Sequence, residues 1–354
     1  MCVIGRIGNF EAINWYGTAQ CPFAVGSGIG LLGASRYRLK MVRPSHNSGG
    51  DLETSRLRFT NDYQFLKGYL FVLAATAIWS GNFIAARALA NSVQPVTLVI
   101  LRSVIAVAIL GPFVVRALSR ERAAILRNLG YLAITSFLGI TLCNTLLYVA
   151  AVTSTTLNMS LIAISSPIFT VVFARLFLSD IPTFRRIVGL IGASSGVVLL
   201  ITGGQLDRLV HLTFSQGDLW MLGQAASFAL YSIFVRKKPA EISALPFLFT
   251  MFVLGLVFLL PMLPSEMPHI KQIQLSPPIA AAILYLGIGP SLLAYLCWNQ
   301  SVAIVGPSRA ALVYYCLPLF SGVEAFLLLG EPIHGIHVLS GILILGGVVV
   351  ANRD

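Results

Sequence analysis

The stretch LIAISSPIFTVVFARLFLSD, residues 161–180, lies without gaps over LVYYCLPLFSGVEAFLLLGE, residues 312–331. Pro167 falls on Pro318, Phe169 on Phe320, Ala174 on Ala325 and Asp180 on Glu331. The glycine-rich runs that follow, GLIGASSGVVLLITG and GILILGGVVVANR, also correspond, and WSGNFIAAR (79–87) lies more weakly over FALYSIFVR (228–236). Apolar helices resemble one another by composition alone, but matched proline, phenylalanine and acid positions are harder to obtain that way. If each half holds five spans, an odd number, equivalent helices run in opposite directions. Such an inverted repeat places a solute site near the midplane between the halves.

The rest of the chain fits membrane spans. Of 354 residues, 56% are hydrophobic and 10% charged, with a mean hydropathy of +0.84; soluble domains carry about 25% charged residues. Between Arg127 and Arg175 there are 47 residues without Asp, Glu, Lys or Arg, and between Lys271 and Arg309 there are 37. About 20 apolar residues cross the hydrocarbon as a helix, so each run fits two spans and a turn. Ten spans are expected: 67–90, 96–116, 129–150, 155–178, 185–203, 217–236, 246–264, 278–299, 307–329 and 333–351. Pro95, Pro182, Pro246 and Pro278 sit at or near their starts, where a missing N–H costs least. The runs are apolar on all faces, unlike the alternation of a barrel strand. The expected fold class is therefore an all-α integral membrane protein: ten transmembrane helices in two inverted five-helix repeats, 67–203 and 217–351.

The net charge of +11 could suggest nucleic acid, but positive residues gather in cytoplasmic loops of membrane proteins, and no nucleic-acid partner is expected. With both termini cytoplasmic, inner loops hold Arg116, Arg120, Arg122, Arg127, Arg185, Arg186, Arg236, Lys237, Lys238 and Arg309. The outer loops hold Arg208 and Lys271, with Arg87 near an outer end. Five cysteines show no disulfide or metal spacing. Residues 1–62 read as a disordered cytoplasmic tail without a cleavable signal, and Met41 is an alternative start. GSGIG at 26–30 lacks the strand–turn–helix context of a dinucleotide site.

From about residue 67 to 352 the chain resembles the EamA-type transporters of the drug/metabolite transporter superfamily. The resemblance is carried by WSGNF at 79–83, LR at 101–102 and LLYVAAVTSTTLNMSLIAISSPIFT at 146–170. It continues through LFLSDIPTFRRIVGLIGASSGVVLL and LVYYCLPLFSGVEAFLLLGEPI at 312–333. Asp180 stands where the family pattern usually has Glu. The resemblance implies two five-helix repeats and a multi-pass carrier of the plasma (bacterial inner) membrane, commonly exporting metabolites, amino acids or drug-like solutes. It does not imply which solute.

Charges inside spans cost about 2.5–3.5 kcal/mol or more at the bilayer centre, so they mark candidates. Arg102 reads either as an anion-binding contact or as a packing arginine that fixes the bundle. Glu324 reads as a binder of a proton or cationic group, or as an acid near the interface that snorkels. Arg175 snorkels. Asp180 and Glu331 read as structural acids that accept backbone N–H groups at the next helix start. Trp79, Asn82, Asn144, Tyr148, Asn158, Tyr231, Trp298, Asn299, Tyr314 and Tyr315 complete the candidate cavity set, each being equally a helix anchor or wall. Pro167 and Pro318 can kink their helices at equivalent places. Gly192, Gly196, Gly341, Gly346 and Gly347 thin their helices for close packing.

The reading is a secondary carrier working by alternating access, with a small-molecule solute, the lipid bilayer and a coupling proton as partners and no cofactor. An intramembrane enzyme would need a nucleophile–base set or metal cluster. His334 and His337 form a pair three positions apart that nothing else joins, and no HExxH, GxSxG or Walker pattern occurs. A channel-like facilitator is the other alternative. Oligomeric state and coupling direction are not legible.

Overall fold

The computed structural model describes the backbone over residues 48–154, 156–205, 207, 215–329 and 334–353, with side chains from Tyr63 onward. Side chains at 83, 87, 156–158, 160, 325, 328 and 329 lie outside the described set. The chain divides into Met1–Asp51 and Leu52–Asp354, and the second unit carries the fold discussed below. No strand occurs among the described residues.

The helices are α1 (Ser48–Leu89), α2 (Pro95–Arg127), α3 (Leu129–Ser136), α4 (Cys143–Thr153), α5 (Thr156–Ala163), α6 (Ser165–Leu178) and α7 (Phe184–Thr202). The second half holds α8 (Gln216–Arg236), α9 (Ala244–Leu259), α10 (Leu263–Gln272), α11 (Pro277–Leu286) and α12 (Ala294–Val305). It ends with α13 (Pro307–Val313), α14 (Leu317–Leu329) and α15 (Gly335–Ala351). Eight described stretches are long and apolar enough to cross a membrane: Tyr63–Ala86, Pro95–Arg127, Leu129–Thr153, Leu161–Leu178, Phe184–Thr202, Gln216–Arg236, Ala244–Gln272 and Pro277–Val305. Gly335–Ala351 is apolar and shorter. Pro307–Leu329 is helical throughout, with a 3₁₀ turn at Tyr314–Cys316.

Three boundaries differ from the sequence reading by about eight residues or more. Helix α1 begins at Ser48, inside the stretch read as a tail, while residues 1–47 lie outside the described residues. Helix α2 runs on to Arg127 although the apolar run ends near residue 116, because SRERAAILR favours helix as well as charge. The seventh span continues to Gln272 through a 3₁₀ turn at Leu260–Met262.

Many large apolar side chains face outward: Phe184 is 80% exposed, Phe113 75% and Leu327 70%. Water would leave these as a wide apolar surface, whereas hydrocarbon accommodates them. The interior holds the polar side chains instead. Helix α7 lies against α15 with almost no side chain between them. A Cβ on Gly347 would stand 2.7 Å from the Gly189 carbonyl oxygen and 2.5 Å from the Ala193 nitrogen, so only glycine allows this approach.

Two spans contain π-helical turns, Phe137–Leu142 between α3 and α4 and Gly287–Leu293 between α11 and α12. Widening to an i→i+5 pattern frees carbonyls for side chains of other helices. Pro290 deepens the effect, since it has no N–H to return to the ladder. Both turns lie at the centre of the polar interior.

Candidate functional site

The site grows from Arg102 on α2. The residue is 1% exposed. Its Nε donates to Ser291 Oγ at 2.6 Å, and Nη1 donates to Asn144 Oδ1 at 2.8 Å and to the Tyr148 hydroxyl at 2.5 Å. Tyr148 in turn donates to Asn82 Oδ1 at 3.0 Å, reaching α1. The π-helical turns orient this cage. Ser291 Oγ donates to the Leu286 carbonyl at 2.7 Å, which Pro290 cannot serve. Asn144 Nδ2 donates to the Ile140 carbonyl at 2.8 Å, and the Tyr295 hydroxyl donates to the Gly139 carbonyl at 2.6 Å.

Against the cage stands an aromatic cluster. The Trp79 ring lies 5.4 Å from Phe228, 5.5 Å from both Tyr295 and Trp298, and 6.1 Å from Tyr314. Three polar edges have partners: Trp79 Nε1 donates to the Pro290 carbonyl at 3.1 Å, Trp298 Nε1 to Ser232 Oγ at 3.2 Å, and the Tyr231 hydroxyl to Asn299 Oδ1 at 2.6 Å. Such pairs each add about 0.5–1.5 kcal/mol beyond area burial. Asn299 Nδ2 is buried with no acceptor among the described residues.

Beside the cluster opens a pocket of about 250 Å³. Residues 66–202 contribute Ile84, Pro167 and Val197, and residues 215–353 contribute Tyr314, Tyr315, Pro318, Ser321 and His337. Tyr314 belongs to both cluster and pocket. Tyr315 accepts from Ser194 Oγ at 2.9 Å and donates to the Ile164 carbonyl at 3.1 Å. Half-buried Glu324 lies one helical turn beyond Ser321, and its Oε1 is 2.5 Å from Ser80 Oγ. That hydroxyl is also 2.6 Å from the Ala77 carbonyl oxygen. His337 Nδ1 accepts the His334 backbone N–H at 2.8 Å, leaving Nε2 as its other polar atom.

At the end of the helices that carries Asp180 the interior is tied shut. The Asp180 carboxylate takes Arg186 Nη1 at 3.1 Å on each oxygen and Ser308 Oγ at 2.7 Å. This differs from the expected backbone cap, because Thr183 occupies the N-cap of α7 and accepts the Arg186 N–H. Asp180 is left for side chains. Tyr69 donates to Asn352 Oδ1 at 3.1 Å, and Arg236 Nη1 donates to the Ala303 carbonyl. Lys238, between α8 and α9, donates to the Ile242 carbonyl; burial holds its pKa below the ordinary lysine value, with Glu121 opposing.

The structure therefore brings Trp79, Asn82, Arg102, Asn144, Tyr148, Tyr231, Trp298, Asn299 and Tyr314 into one connected interior, mostly buried. Tyr315, Pro167 and Pro318 line the neighbouring pocket. Arg175 is exposed toward the helix end. The Asn158 side chain and Glu331 lie outside the described residues. Sequence reasoning missed Ser80, Phe228, Ser291 and Tyr295. Pro290 in GIGPS was the visible signal for Ser291; the others depend on inter-helix register. Among the described residues no group of three or more His, Cys, Asp or Glu could hold a metal.

Residues 66–202 and 215–353 each match the EamA-like transporter family. Among similar proteins, uncharacterized transporter YyaM of Bacillus subtilis is 26% identical over 66% of this chain and 76% of its own length. An uncharacterized transporter of Archaeoglobus fulgidus is 26% identical over 81% and 97%. A protein of Streptantibioticus cattleyicolor named "Probable terminal-alkyne amino-acid exporter" is 28% identical over 69% and 77%. One solved crystal structure, 19% identical, superposes with a TM-score of 0.59 over 80% of this chain and 96% of its own, which shows a shared fold.

Proposed function

The chain belongs to the EamA-like transporter family, and from that premise we propose a secondary carrier that exports a small metabolite, amino acid or drug-like solute by alternating access. Membership in the family and the apolar helices make it a multi-pass membrane transporter. The finer reading is ten spans in two inverted repeats, 67–203 and 217–351, in a bacterial inner membrane with both termini cytoplasmic. The matched halves and the Pro167–Pro318 correspondence support the repeat.

One observation carries the transport mechanism: a pocket of about 250 Å³ whose walls come from both matched halves and include both span prolines. Solutes in secondary transporters bind between repeats. The buried cage and aromatic cluster lie next to this pocket, and the Asp180–Arg186–Ser308 contacts close the opposite way out. A carrier needs one closed and one open path at a time. This arrangement supports a state with the Asp180 end closed and the pocket as what remains of the other path.

The coupling ion in this reading is a proton on Glu324. Ser80 has one hydroxyl hydrogen and two oxygens within hydrogen-bond reach, Ala77 O and Glu324 Oε1. The hydroxyl donates to only one of them at a time, so this contact links the acid of one half to a helix of the other. Purified protein in liposomes under an imposed pH gradient, screened for solute flux, tests the whole reading. A carrier shows counterflow, in which solute on the far side accelerates uptake. A channel-like facilitator gives flux without it, and that result would overturn alternating access.

A further inference from the structure

Arg102 carries a full charge that no described carboxylate pairs with; the Tyr148 ring, 5.6 Å from the guanidinium carbon, is a neutral neighbour. Its Nε and Nη1 donate to three neutral oxygens. Among the described residues no carboxylate stands within ion-pair distance of it, and no acceptor meets Nη2. Neutral acceptors satisfy hydrogen-bond directions but leave the charge in place, and a charge in a dry membrane interior is costly unless an opposite charge joins it. Glu324 is engaged by Ser80, and Asp218, buried at the start of α8, by Ser154 and the Ser215 N–H.

The cage is also fixed from behind. Ser291 spends its hydrogen on Leu286 O, Tyr148 spends its own on Asn82, and the Asn144 amide nitrogen is committed to backbone carbonyls. Each neighbour is thereby forced to turn a lone pair toward Arg102. The guanidinium is held rigidly on two nitrogens and its third is left over. An arginine serving only to pin helices would have no need of an uncancelled charge; a neutral amide at this place would pin them at lower cost.

We infer that Arg102 is the counter-charge for an anionic group of the solute, and that the carrier takes small organic carboxylates, the carboxylate meeting Nη2. This rests on the carrier reading above. The Tyr295 hydroxyl is hydrogen-bonded to Asn144 at 3.1 Å and its ring lies 5.5 Å from Trp79, so the packed aromatic cluster adjoins the cage.

The test uses matched pairs of probes, acetate with acetamide, benzoate with benzamide and phenylacetate with phenylacetamide, at equal ionic strength. Thermal unfolding of the wild-type protein is followed with each, since a ligand that binds the native state raises the midpoint. At least one acid is expected to raise it while its amide does not. Arg102→Gln weakens that acid about tenfold or more, as loss of a charge-assisted hydrogen bond would, and Arg102→Lys retains part of the effect. If no pair discriminates in the wild type, or if folded Arg102→Gln responds undiminished, the inference falls, and the wild-type comparison decides even if the variant does not fold. Counterflow in liposomes separates the two readings. Exchange of amides as readily as acids keeps the carrier and removes the anion site. Arg102-dependent acid binding without counterflow keeps the site and removes the carrier.

Discussion

Ser80 Oγ sits 2.5 Å from Glu324 Oε1 while lying 2.6 Å from the carbonyl of its own helix at Ala77. A hydroxyl of the first half thus lies within hydrogen-bond reach of the Glu324 carboxyl of the second. Glu324→Gln keeps the hydrogen-bonding shape and cannot release the proton. Transport in liposomes should lose its dependence on a pH gradient, while exchange at equal pH on both sides persists. An unchanged pH dependence would take Glu324 out of the mechanism.

The Asp180–Arg186–Ser308 contacts join α7 to α13. Breaking a fully buried pair costs about 3–5 kcal/mol, but the Asp180 side chain is 36% exposed, against 8% for Arg186. Asp180→Asn should therefore destabilise by about 1–2 kcal/mol. Ser308→Ala should cost about 0.5–1.5 kcal/mol. Thermal unfolding in detergent reads both. Equal midpoints in all three proteins would show that the contacts hold nothing closed.

Neighbouring glycines of α15 should differ sharply. A methyl on Gly347 meets backbone of α7, whereas one on Gly346 meets nothing within 4 Å. Gly347→Ala is expected to cost about 1–3 kcal/mol through forced separation of the helices, and Gly346→Ala to stay within about 0.5 kcal/mol of wild type. A similar loss in both would contradict the α7–α15 packing.

Orientation has its own test. Lys237 and Gln205 are both exposed, Lys237 just past the C-terminal end of α8 and Gln205 just past that of α7. If positive loops face the cytoplasm, a cysteine at Lys237 resists an impermeant maleimide in intact cells and one at Gln205 reacts, in a background without native cysteines. The reverse labelling would invert the topology.

The helical, membrane-embedded class was legible because hydrocarbon imposes length and apolarity on each span, and both are written in composition. Arg102 and Glu324 were legible because a charge in such a run is conspicuous. Their surroundings were not. Ser291 reaches Arg102, and Tyr295 reaches Asn144, through the winding of another helix, and winding depends on where one extra residue enters a turn. The aromatic candidates were read as cavity walls or helix anchors alike; Trp79, Trp298 and Tyr314 pack on one another and on Phe228. Aromatic type alone does not distinguish a wall from a packed core. Asp180 found a side chain rather than a backbone partner because Thr183, three residues on, was the better cap.

The two wide turns at Phe137–Leu142 and Gly287–Leu293 tie the chemistry of the interior to mechanical motion. The Gly139 and Leu286 carbonyls serve Tyr295 and Ser291 where the helices are overwide. Tightening either turn by one residue draws its carbonyls back into the ladder and rotates everything beyond it by about 100°. The same movement strips Arg102 of the oxygens that hold it. Grip on a charge and the pitch of a helix thus become one variable, so the anionic solute proposed for Arg102 would act on the winding of the spans that enclose it.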